Sequence, residues 1–228
     1  MRLTVDEIMT QIASTVNQEA TAPTAGGTEW SLWLQYINRG IAEWARANDW
    51  EDMRRVFYPG VTGVSLASIS LPMDFRKLAD APKLYNPTNA DPIPYPEVLW
   101  EQESLYNINT DNYVKILGDT MNGYTAVFSP PTMASGASLQ IQYYAMPTSL
   151  ASPAQYSPVP DSQFLVDRTI AYILEARSDS RFQLEENKAR ERLLSMVEDH
   201  ELRKFNSYAN PNFVITPERK SGFRVGRD

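Results

Sequence analysis

The chain has 228 residues, 43% of them hydrophobic and 11% aromatic, with a formal charge of −7 and no cysteine; it can bury a core as one generous domain or two small ones. The acidic balance argues against a wrapper of duplex DNA, and the lack of thiols excludes disulfides, thiolate catalysis and zinc–sulfur sites. Asp6, Glu7, Gln11 and Asn17 interrupt the first twenty positions, and no apolar run reaches the roughly 18–20 residues that span a bilayer, so a soluble protein made in a cytoplasm is expected, with no membrane partner.

Thr4 followed by Glu7 reads as a capping box, with Val5, Ile8, Ile12 and Val16 at helical spacing behind it. That helix should end near Thr21, before a loop at Pro23, Gly26 and Gly27. A second helix is predicted from about Thr28 to Asn48, with Trp30, Leu34, Ile37, Ile41 and Trp44 as its stripe and Trp33 widening it. So broad a face suggests more than one neighbour, and Trp30, Trp33 and Trp44 are candidates for a subunit interface.

Thirteen of the sixteen prolines then fall between Pro59 and Pro160, which rules out long helices there. Strands are predicted at Arg54–Tyr58, Ser68–Leu71, Tyr113–Leu117, Tyr124–Phe128 and Leu139–Ala145, and one short helix within Glu97–Tyr106. Leu139, Ile141 and Tyr143 alternate with Gln140, Gln142 and Tyr144, the period of a half-buried strand. Helices resume at Asp161, with Val166, Ile170, Ile173 and Leu174 as the stripe, and again over about Leu184–Leu202, using Leu184, Leu193, Met196 and Val197. Helices at both ends of the chain have each other as nearest cover. The expected fold class is therefore α+β: an antiparallel four-helix bundle (residues 1–52 and 161–202) with an inserted small β module (53–160) and an extended C-terminal arm (203–228).

The arm carries six basic and two acidic residues, whereas residues 1–202 carry fifteen basic and twenty-six acidic. Its aromatics, Phe205, Tyr208, Phe213 and Phe223, are too irregular for one helix or strand face, yet a plain disordered tail would lack them. Burying its three phenylalanines and Ile215 contributes about 1.5–3 kcal/mol each. Ordering some twenty residues costs about 1–2 kcal/mol apiece, so the arm should take its shape only on a partner.

Catalytic motifs fail by inspection. Gly118 to Thr125 has P-loop glycine spacing, but Tyr124 stands where the lysine must be, so a β-turn is expected. Asn107, Asn109 and Asp111 begin like a calcium loop that then lacks its glycine and its glutamate. Gly63-Val-Ser65-Leu-Ala67 lacks the closing glycine of a nucleophile elbow. His200, the one histidine, is expected as a surface charge near a helix C-terminus beside Asp199 and Glu201. The carboxylates Asp49, Glu51 and Asp52, and Glu198, Asp199 and Glu201, read as solvated helix ends. No catalytic, cofactor or metal site is expected.

Short patterns in order along residues 28–200 resemble the head–tail connector family of tailed bacteriophages, the portal adaptors and tail tubular protein A-like proteins. They are Ile37-Asn-Arg-Gly-Ile-Ala-Glu-Trp44 with Asp49-Trp50, Ser70-Leu-Pro-Met-Asp-Phe75, Phe128-Ser-Pro-Pro131, Leu139 through Leu150, and Pro158-Val-Pro-Asp161. The resemblance implies a non-enzymatic virion protein of the neck, present in the host cytoplasm during assembly. It implies a dodecameric homo-oligomeric ring between the portal protein and a downstream tail or neck protein, with DNA passing through the lumen. On that footing Phe205, Tyr208, Phe213, Ile215 and Phe223 would fill portal pockets, and Arg219, Lys220, Arg224 and Arg227 would meet acidic portal groups. The alternative is a receptor-facing carbohydrate-binding module that uses Tyr143, Tyr144, Trp100 and Tyr106.

Overall fold

A computed structural model describes residues 2–59, 68–85, 91–106, 111–129 and 137–208, with backbone alone for Trp100, Glu103, Ser104 and 204–208. Helix α1 spans Val5–Val16 and starts as its sequence dictates: the Thr4 hydroxyl accepts from the Glu7 amide and the Glu7 carboxylate accepts from the Thr4 amide. It stops five residues before the expected end, with Gln18 at φ 58°. Helix α2 spans Thr28–Ala47 and buries Trp30, Trp33, Ile37, Gly40, Ile41, Trp44 and Ala45. Helices α3 and α4 span Gln163–Ala176 and Phe182–Tyr208.

Among the described residues, eight strands lie between α2 and α3: β1 Arg54–Phe57, β2 Ser68–Ser70, β3 Phe75–Leu78, β4 Lys83–Tyr85, β5 Ile93–Pro94, β6 Tyr113–Asp119, β7 Gly123–Ser129 and β8 Ser138–Ala145. All strand pairs are antiparallel and form two sheets. In the larger, β8 is central, with β1 on one side and β3 and β4 in tandem on the other; β5 extends it beyond β4. The smaller runs β2-β7-β6. The predicted helix within Glu97–Tyr106 is one 3-10 segment, Trp100–Leu105.

The expected four-helix bundle with a small insert does not form. Its helices would each keep one face to solvent, whereas α3 buries ten of its fourteen residues, among them Phe164, Leu165, Ala171 and Tyr172 outside the predicted stripe. A helix apolar nearly all round belongs in the middle. Accordingly α1, α2 and α4 each pack mainly on α3 and little on one another. Nor is the β region a satellite: Leu84, Phe128, Leu139 and Ile141 belong to the same buried cluster as Ile37, Trp44 and Leu165.

Two polar seams join the helices to what surrounds them. The Asn38 side chain exchanges both its hydrogen bonds with the Leu150 backbone, at 2.8 and 2.9 Å. Arg76 of β3 donates to the Ala45 carbonyl near the end of α2. A helix end meeting a sheet strand in this way satisfies a carbonyl that the helix leaves orphaned.

The glycine-spaced segment 118–125 is the β6–β7 hairpin. Gly118 pairs with Tyr124 and Asp119 with Gly123, both glycines take positive φ, and the Asp119 carboxylate accepts from the Met121 and Asn122 amides. The elbow-like Gly63–Ala67 and the residues Asn107 and Asn109 lie outside the described residues.

Candidate interaction surface

The last helix is the longest element and is clamped to the body at three points. At its start, Ser178 takes φ 56° and Asp179 accepts from both the Arg181 amide and its guanidinium, which hold the Asp179 carboxyl down at about 2. The first clamp is Arg168 of α3, set between Glu43 of α2 at 2.8 Å and Glu186 of α4 at 3.1 Å. Its guanidinium lies 4.5 Å from the Tyr172 ring centre, with Arg39 at 4.3 Å. Burial works to lower the Arg168 pKa, but the Glu43 hydrogen bond and charge outweigh it and the net shift is upward. Burial, then donation to Glu43 at 2.9 Å, raises that of the Tyr172 phenol.

At the second clamp Arg192 of α4 reaches the buried Asp167 of α3, which Gln163 also serves at 3.2 Å. Full burial of a carboxylate is tolerable only with such pairing. The third clamp is His200. Its Nε2 sits 2.9 Å from the Asp49 carbonyl oxygen, an acceptor that requires the proton on that nitrogen. The ring meets the edge of Trp50 at 5.2 Å, and Trp50 stacks on Trp44 at 5.0 Å while donating to its carbonyl. Beside it Asn48 donates to Glu201 at 3.0 Å. His200, expected at the surface near a helix C-terminus, is thus a half-buried clamp within α4, which runs on to Tyr208.

Sequence reasoning placed the helix end and its buried face imperfectly. Arg203–Tyr208, assigned to the extended arm, are the last turns of α4, so Phe205 and Tyr208 sit on helical backbone. Phe213, Ile215, Arg219, Lys220, Phe223, Arg224 and Arg227 lie outside the described residues. Leu184, assigned to the core stripe, is 58% exposed, and Leu194 and Leu202 are comparably open. The buried side of α4 is instead Ala189 with the half-buried Phe182, Leu193, Met196 and Val197. Leu184 and Leu202 each lie nine residues from Leu193, about half a turn round the helix, so an apolar side chain on α4 does not by itself mark the buried face.

Trp30, Trp33 and Trp44, expected at a subunit interface, are covered within the subunit at 7%, 1% and 0% exposure, which leaves them little surface for a neighbour. The sugar platform fares no better. Tyr143 and Tyr144 are both buried, and burial together with donation to Asp74 pushes the Tyr143 phenol up to about 12. Lys77 covers Tyr144 at 5.8 Å, and Tyr106 packs on Tyr113. The Asp49–Asp52 carboxylates are held by cations: Asp49 by Lys77 and Arg76, Glu51 by Arg54, Asp52 by Arg2. Asp49 thereby ties the end of α2 to β3, and Asp52 ties the same segment to the N-terminus.

Among the described residues, no three histidines or carboxylates converge where a metal ion would sit, and no helix is long and apolar enough to cross a membrane. The sequence matches the SU10 adaptor protein family over residues 3–212. The chain belongs to that family, a phage adaptor family whose role is structural. No curated protein matches the sequence. The match ends at Asn212, so the arm residues from Phe213 onward lie beyond it.

Proposed function

We propose that this chain is the head-to-tail adaptor of a tailed phage, acting in the virion neck as a ring, of twelve copies on the expectation above, between the portal and the downstream tail or neck protein. The observation that carries the reading is the family match across residues 3–212. The clamping of α4 adds support. A helix tied down at Glu186, Arg192 and His200 delivers its last turns, and the chain that follows, from a fixed direction, and a fixed origin raises the effective concentration of a docking segment.

The role is mechanical. Each copy is one wedge, head-to-tail contacts close the ring, and the acidic body lets DNA pass through the lumen without capture. Phe205, Tyr208, Phe213, Ile215 and Phe223 are the portal-filling groups, with Arg219, Lys220, Arg224 and Arg227 adding on-rate and register.

Deletion of residues 209–228 tests this, because it leaves α4 whole. The truncated chain should keep its unfolding midpoint yet lose portal binding by at least about a hundredfold, the loss of two buried aromatic anchors. Unchanged portal affinity would refute the arm's assignment.

A further inference from the structure

We propose that the ring is closed by the outward face of α2 in one copy docking in parallel on the outward face of α4 in the next, with Leu32, Arg39 and Arg46 meeting Leu184, Glu191 and Glu198. This rests on the ring reading above and names the surface that makes it.

Both faces are exposed and lie on the sides of α2 and α4 opposite their buried residues. On α2, Leu32 is 43% exposed, and Gln35, Arg39 and Arg46 lie open on the side opposite Trp33, Ile37 and Trp44. On α4, Leu184 and Leu194 are 58% and 53% exposed, and Asn187, Glu191 and Glu198 lie open opposite Ala189 and Leu193. Arg46, Glu191 and Glu198 have no ion-pair partner among the described residues. Arg39 is steadied on the surface by the Tyr172 ring.

The two faces share one spacing. Positions 32, 39 and 46 are seven apart, as are 184, 191 and 198. Laid side by side in the same direction they give Leu against Leu and Arg against Glu twice. The positions between them give Gln35 against Asn187 and Ala42 against Leu194. Seven residues are just under two helical turns and drift by about 20° per repeat, so such a match holds over two repeats before the faces diverge. Net charge on the two stripes is opposite, which selects α2 against α4 and disfavours either face meeting itself.

Direction follows from the subunit. Along α2 and α3, Tyr36 faces Tyr172 while Glu43 faces Arg168, so the two run oppositely. Along α3 and α4, Arg168 faces Glu186 while Asp161 faces Arg192, again oppositely. Helices α2 and α4 therefore run the same way. Rotation about a ring axis keeps the axial sense of every helix, so α2 of one copy and α4 of the next remain parallel. A two-fold dimer would instead make them antiparallel and put Leu32 near Leu202.

The chain has no cysteine, which permits a direct test with full-length protein. Leu32→Cys and Leu184→Cys chains, each singly substituted and of different tag mass, are mixed, assembled with portal and mildly oxidised. A mixed disulfide dimer is expected from this pair and none from Leu32→Cys with Leu202→Cys. Separately, Arg39→Glu/Arg46→Glu should cut the assembled fraction about tenfold or more, and adding Glu191→Lys/Glu198→Lys in the same chain should restore it. If wild-type rings form but the 32–184 product is missing, the 32–202 product prevails, or charge reversal changes nothing, this interface is wrong and the ring stands. If wild-type chain sediments as a monomer both alone and with portal, the ring reading falls and takes the interface with it.

Discussion

Replacing Arg168 with Met, which keeps the stem but removes the guanidinium, takes away the group that ties three helices together. The lost contacts are the 2.8 Å bond to Glu43, the 3.1 Å contact to Glu186 and the cation above Tyr172. Breaking a fully buried ion pair costs about 3–5 kcal/mol, because the surviving charge is stranded. Here the survivors are not stranded: the Glu43 and Glu186 side chains are 37% and 47% exposed and can rehydrate, and Glu43 still accepts from Tyr172 at 2.9 Å. The cost should therefore fall to about 1.5–2.5 kcal/mol, one to two charge-assisted bonds. Glu43→Gln should cost about 1 kcal/mol, since Arg168, the least exposed member at 16%, keeps Glu186. The double variant should reveal a coupling of about 1 kcal/mol. Urea unfolding of the four chains at constant slope measures all three values. A cost below about 0.5 kcal/mol for Arg168→Met with no coupling would place the network among ordinary surface pairs and remove the first clamp from the account of α4.

Three further outcomes follow from local geometry. Gly118 and Gly123 both have positive φ, but a Cβ at Gly118 would lie 2.1 Å from the Gly123 carbonyl oxygen while one at Gly123 meets open space; Gly118→Ala should cost about 3 kcal/mol or more in thermal unfolding and Gly123→Ala about 1. Tyr143 keeps its proton up to about 12 in the fold against 10.0 unfolded, so its contribution is whole below pH 10 and drains as pH climbs toward 12. Tyr143→Phe should flatten the alkaline loss of stability there by about 1.4 kcal/mol per pH unit, and an unchanged slope would contradict the burial and Asp74 bond assigned to it. His200→Leu keeps bulk but loses the bond to the Asp49 carbonyl, so amides of the last turns of α4 should exchange hydrogen about tenfold faster while those of α1 do not change.

The strand count shows where pattern reading runs out. Five strands were legible from β composition between turns, but β3, β4 and β5 are two to four residues long. Phe-Arg-Lys-Leu, Lys-Leu-Tyr and Ile-Pro are too short to display a period. β3 and β4 exist because β8 offers a long unpaired side to them, and β5 pairs in turn with β4. The same strand shows how burial escapes alternation: Gln140 and Gln142 face outward as predicted, yet Tyr144 is covered from its own side by β3 and Lys77.

Local chemistry, readable residue by residue, determined the Thr4–Glu7 start of α1, the length of α2 and the β6–β7 turn at its glycines. These depend on neighbours within a few positions, where backbone sterics and hydrogen bonding decide. The tertiary structure alone decided that α3 is a hub and not one stave of a bundle, that Trp33 and Trp44 are spent inside the subunit, and that Leu184 and Leu194 face out. The first two depend on what arrives from a hundred or more positions away, Leu165 against Gly40 and Arg168 against Glu43, and the third on α3, the element on which α4 mainly packs. A side chain's periodicity says that it has a preferred side, but only the elements that come to cover that side say whether it is the core or the face left for another molecule.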